Sequence, residues 1–99
     1  MSEAMLALAD CLLDSTREQW ERMQAAQDLD GHGEAALPYL FEAAAMDWSH
    51  DPGMRTLIGG AIATIWSEAG TLRTASTEGL PSETVQEIEA VRRHAPGVS

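Results

Sequence analysis

The chain has 99 residues, six Lys and Arg against 16 Asp and Glu, a formal net charge of −10 and one cysteine. That length suits a single domain over residues 1–99. The charge argues against the basic face that nucleic-acid phosphates or an anionic membrane require, and a lone cysteine excludes an intrachain disulfide. Alanine is abundant and aromatic residues are few, which favours helices over strands. The first residues, MSEAMLALAD, lack a basic leader and carry Glu3 and Asp10 within the apolar run. This is no signal peptide, no apolar span is long enough for a bilayer, and a cytoplasmic protein is expected.

The first helix is expected over residues 2–14, capped by Ser2, with Met5, Leu8, Ala9, Leu12 and Leu13 on one face. Cys11 falls in this pattern and reads as a small buried hydrophobe. Ser15 and Glu18 fit a capping box that opens a second helix over 15–30. Its inward residues are expected to be Trp20, Met23 and either Ala26 or Gln27, with Glu18 and Arg22 pairing on the exposed side. Gly31-His32-Gly33 ends it. A third helix is expected over 34–47, with Leu37, Leu40, Phe41, Ala44 and Trp48 on one face and Pro38 near its start. Asp51-Pro52 then reads as N-cap and first residue of a fourth helix reaching residue 69. Its broad stripe runs from Met54 to Trp66, and Gly70 stops it. Gly59-Gly60 inside it predicts close approach by a neighbouring helix, since each glycine costs about 1 kcal/mol relative to alanine. After a polar connection, Ser82 caps a last helix over 82–94. Its core residues are Val85, Ile88 and Val91, and Arg92, Arg93 and His94 lie in its last turn. The initiating Met1 and the Pro96-Gly97 tail suggest a complete short protein.

The stretch Leu37-Pro38-Tyr39-Leu40, followed by Asp51-Pro52-Gly53-Met54-Arg55, resembles the HEAT repeat, with Ile58 and Ile62 at its apolar second-helix positions. The match covers Ala36 to Trp66, about a third of the chain, and its turn is a few residues longer than usual. The resemblance implies an all-α fold, a short right-handed α-solenoid of about five helices, with the flanking helices as degenerate neighbours. It makes Arg55 structural and pairs it with Asp47 or Asp51, while Pro38 and Pro52 are read as structural from their helix-start positions. A looser resemblance, resting on size, acidity and architecture, is to small acidic immunity proteins of bacterial toxin systems.

No catalytic or metal-binding spacing stands out. His32 beside Glu34, and His50 beside Asp47 and Asp51, fall in turns and lack a third converging ligand. We expect neither an enzyme nor a cofactor. The expected function is a protein-binding inhibitor of the immunity or antitoxin type, covering the active site of a basic toxin domain such as a nuclease. The alternative is a HEAT-like adaptor that self-associates or scaffolds another protein. The expected partner is a cationic protein, with the chain itself a monomer or weak homodimer. Candidate contacts are Glu42, Asp47, Trp48, His50 and Asp51 around the corner, and Glu83 and Glu87 on the last helix. Trp48 has two readings: it plugs the helix pair, or it anchors a partner.

Overall fold

A computed structural model describes residues 3–51 and 53–94. It is all-helical over those residues: α1 Glu3–Leu13, α2 Gln19–Leu29, a 3-10 segment Asp30–Ala36, α3 Leu37–Ala44, α4 Gly53–Ala69 and α5 Ser82–His94. The proposed N-cap Ser2, the proposed first residue Pro52 of the fourth helix, and the Pro96-Gly97 tail lie outside the described residues.

The core is organised around α4. Its residues Met54, Ile58, Ala61, Ile62, Ala63, Ile65 and Trp66 are buried on nearly every side. Helices α2, α3 and α5 and the 3-10 segment all pack against it, while α1 packs on α2 and α3. A helix covered from so many directions needs apolar residues beyond a single stripe, and α4 supplies them.

Glycine shapes α4 at two places. A Cβ built on Gly59 would lie 2.7 Å from the Thr84 carbonyl oxygen and 3.1 Å from Glu87 Cβ. The backbones of α4 and α5 therefore meet at Gly59. The fully buried Thr84 hydroxyl donates to the Arg55 carbonyl oxygen at 3.0 Å, fixing the same crossing. At the other end, Gly70 adopts φ +78°. Thr71 N–H reaches back to Trp66 O at 2.8 Å and Gly70 N–H to Ser67 O at 3.2 Å, the hydrogen-bond pair of a Schellman stop.

Helices α2 and α3 differ from the sequence reading. α2 starts at Gln19, with Glu18 as its N-cap and the Glu21 carboxylate accepting the Glu18 N–H at 3.2 Å. The capping box thus uses Glu18 and Glu21 rather than Ser15 and Glu18. Asp14 draws the preceding turn together by accepting the Thr16 N–H at 2.9 Å and the Thr16 hydroxyl at 2.6 Å. The inward face of α2 is Arg22, Ala25, Ala26 and Leu29. Trp20, expected inside, is 64% exposed, and Arg22, expected outside, is 5% exposed. Helix α3 is shorter than expected at both ends, because residues 34–36 belong to the 3-10 segment that follows the Gly33 kink (φ 72°, ψ −154°) and the helix stops at Ala44. Pro38 does lie at its start, in the N1/N2 region where a missing N–H is harmless. Phe41 sits at the rim, 36% exposed, with its ring 6.2 Å from that of Trp66.

Candidate functional site

The corner between α3 and α4 is built by capping. Asp47 accepts the Ser49 N–H at 2.9 Å, and this backbone bond is the main cause of a carboxyl pKa held below its usual value. Trp48 is 3% exposed, and its indole N–H donates to the Ala43 carbonyl oxygen at 2.7 Å. That carbonyl belongs to the last turn of α3, where it also accepts the Met46 N–H at 3.1 Å, so the indole adds a second donor to the helix end. The Arg22 guanidinium lies over the Trp48 ring at 4.0 Å, while its Nε donates to Leu12 O at 2.9 Å. One arginine therefore caps α1 and stacks on the corner tryptophan. Burial pushes its pKa down, opposed by the charges of Asp51 and Asp14. Trp48 accordingly packs in the core of the helix pair rather than standing exposed at the corner.

Arg55 is also structural, with partners other than those expected. Its Nη2 donates to Met46 O at 2.9 Å, and its Nη1 lies 3.6 Å from a Glu83 carboxylate oxygen on α5. Neither Asp47 nor Asp51 forms an ion pair with it among the described residues. Asp47, Trp48 and Glu83 do converge with Arg55 around a small cavity of about 150 Å³. Its acids share that one cation. Glu42 and His50 are exposed and outside this cavity, and Asp51 is partly buried. Glu87, one turn beyond Glu83, faces a different surface.

That surface is a groove of about 500 Å³ between α2, α4 and α5. Its floor is α4, where Thr56, Leu57, Gly60, Ala61 and Thr64 recur at helical spacing. Gln19, Met23, Gln27 and Asp30 form one wall, and Glu87 and Val91 the other. Gly60 gives the floor its depth. A Cβ there would meet only the Glu87 side chain, at 3.7 Å from Oε2. No Lys or Arg lines the groove, and two carboxylates do. Burial, reinforced by Glu68 and Asp28, raises the Asp30 pKa. Trp20 lies about 60° from Met23 around α2, given about 100° per residue, which puts the exposed indole beside the same wall.

Of the residues expected from sequence, Glu87 alone reaches this groove. Trp20, Met23, Asp30, Leu57, Gly60 and Val91 do not stand out in the sequence as a site. Their available signal is Gln19, Met23 and Gln27 at four-residue spacing opposite a glycine in α4. No cluster of His, Cys, Asp and Glu among the described residues could hold a metal ion, and no described helix is long and apolar enough to cross a membrane. In comparisons with known proteins, no family model, no curated protein and no solved structure matches the chain.

Proposed function

We propose that this protein is a binding module for a cationic protein, and that the groove between α2, α4 and α5 is its contact surface. The carrying observation is an apolar groove rimmed by Asp30 and Glu87, with no basic residue lining it, on a chain of net charge −10. Such a surface attracts a basic partner over distance and offers an apolar floor on contact. The corner cavity is the weaker candidate because Arg55 already offsets its acids. The sharper form of this reading is an immunity-type inhibitor that covers the active site of a basic toxin domain. Small size, acidity and the lack of a catalytic constellation among the described residues support it.

The packing of α1 on α2, α3 on α4, α1 on α3 and α2 on α4 supports a short HEAT-like solenoid with α5 closing one end. In that arrangement α2 and α4 form one layer, and the groove runs along it. The adaptor alternative draws on the exposed rings of Trp20 and Phe41. Self-association would bring two chains of −10 together, which weighs against it at low salt.

Affinity capture from the native cell at low and high salt, with mass spectrometry of bound proteins, tests the reading. The expected result is one basic protein, released by salt and inhibited when the complex re-forms. Retention of no basic protein at low salt, with a concentration-dependent increase in mass by light scattering, would favour the adaptor.

A further inference from the structure

We infer that the groove takes a basic amphipathic helix of about three turns. This rests on the binding reading above and specifies its ligand. The floor runs from Gly53 to Thr64 along α4, and the α2 wall from Gln19 to Asp30. Each covers a length of about 16 Å at the helical rise, which matches three turns of a guest helix. A guest placing apolar residues at i, i+3 or i+4, and i+7 sets them over Leu57, Gly60 and Ala61. Its flanking Lys or Arg residues then face Asp30 and Glu87.

The backbone chemistry selects a helix over an extended segment. All three surrounding elements are helices, whose mid-helix backbone N–H and C=O groups are already paired along their own axes. The floor therefore offers an extended chain no edge to pair with. The Thr64 hydroxyl hydrogen is likewise committed to its own helix, donated to Gly60 O at 2.9 Å. A ligand that buries its backbone here has to bring its hydrogen bonds with it, and a helix does. Charge selects the sign: a second copy of this chain, or an acidic helix, would add carboxylates to a rim that holds no cation. The exposed Trp20 beside the α2 wall supplies an aromatic flank for an aliphatic side chain.

The test is a titration of the protein, followed by two-dimensional amide NMR, with three synthetic peptides. One is an amphipathic Leu/Lys helix with leucines at i, i+3 or i+4, and i+7. The second carries Glu for each Lys. The third keeps the lysines and has two central prolines. The expected result is that only the first shifts amides of α2, α4 and α5 around the groove. Gly60→Leu fills the floor where a side chain has room, and should weaken that peptide at least about tenfold, a loss of about 1.4 kcal/mol, with the melting point retained. Gln27→Lys, an exposed charge change on the wall, should weaken it without altering the fold. Equal binding of the proline peptide, shifts centred on Asp47 and Glu83, or indifference to both substitutions would overturn the inference. A captured basic protein that binds Gly60→Leu as well as the wild type also overturns it and leaves the binding reading standing. Failure of every peptide and of any basic protein at low salt removes both.

Discussion

Two adjacent glycines in α4 serve opposite purposes. Gly59 is where a neighbouring backbone touches, and Gly60 is where space is kept open. Substituting each by alanine therefore separates helix propensity from packing. Gly60→Ala should stabilise the fold by about 0.5–1 kcal/mol, because its new methyl group meets ordinary contact distances. Gly59→Ala gains the same propensity but drives a Cβ against the Thr84 carbonyl. It should lose about 1–2 kcal/mol net, since overpacking a tight contact costs about 1–3 kcal/mol. Thermal melts of the two variants should move in opposite directions, by about 4–8 °C per kcal/mol for a domain this size. A fall in both would mean that Gly60 is not open. The buried Arg22 shows a second kind of residue-scale design. Helix α1 has no basic residue in its last turn, and α2 supplies one from outside.

Among the elements, the connection between α4 and α5 depends most on a single side chain. Arg92 Nε donates to Leu72 O at 2.7 Å and Nη2 to Ala75 O at 2.6 Å, while Nη1 pairs with Glu89 at 2.5 Å. Arg92→Ala should free this connection from α5. Amides of residues 71–79 should then exchange with solvent markedly faster, at least about tenfold, while those of α1 and α2 hold. Uniform acceleration throughout the chain would instead show global destabilisation. Sequence places Arg92 in the last turn of α5, where it lies, without revealing the loop it holds. That difference is general here. Helices α4 and α5 are legible because their signals are local: Asp51 before α4, Gly70 after it, and Ser82, expected as a cap, at the first residue of α5. The Gly59 contact is legible as well, because a glycine inside an apolar helix weakens it unless a neighbouring backbone needs the room. Helix α2 misleads because its inward face is Arg22, two alanines and Leu29, a combination that does not stand out beside Trp20 and Met23 on the adjoining face. The end of α3 is hidden because Trp48, which continues its apolar face in the sequence, lies beyond the helix and reaches back to Ala43 O. The groove is illegible because its residues come from three helices and cohere only after packing.

For the whole molecule, acidity acts in two directions. Asp14, Asp47 and Glu83 have lowered carboxyl pKa values, caused first by hydrogen bonds to the charged form. Stability from such groups is present above the ordinary carboxylate value and is lost as pH falls through the folded one. Asp30 runs the other way. Its pKa is raised by burial and by Glu68 and Asp28, and Glu87 lines the same groove. Its contribution is present below the ordinary aspartate value of 3.8 and is lost as pH rises through the raised one. At about pH 7 the ionised Asp30 therefore works against folding. Asp30→Asn should raise the melting temperature near neutrality and give no advantage at about pH 3. Paired melts at the two values check the sign, and an equal gain at both would remove the charge from the account. A cationic ligand at the groove, as proposed above, would relieve the same burden and should therefore raise the melting temperature more for the wild type than for Asp30→Asn.

The division of the tryptophans has an optical consequence. Trp20 stands 64% in solvent, while Trp48 and Trp66 are 3% and 5% exposed. The folded protein therefore emits from one wet indole and two dry ones, with Trp48 further set apart by the guanidinium on its ring. The long-wavelength side of the spectrum belongs mainly to Trp20, and a collisional quencher should remove that side first. Loss of the blue emission marks the core coming apart. The chain thus carries separate native reporters for its surface and its interior, with no added label.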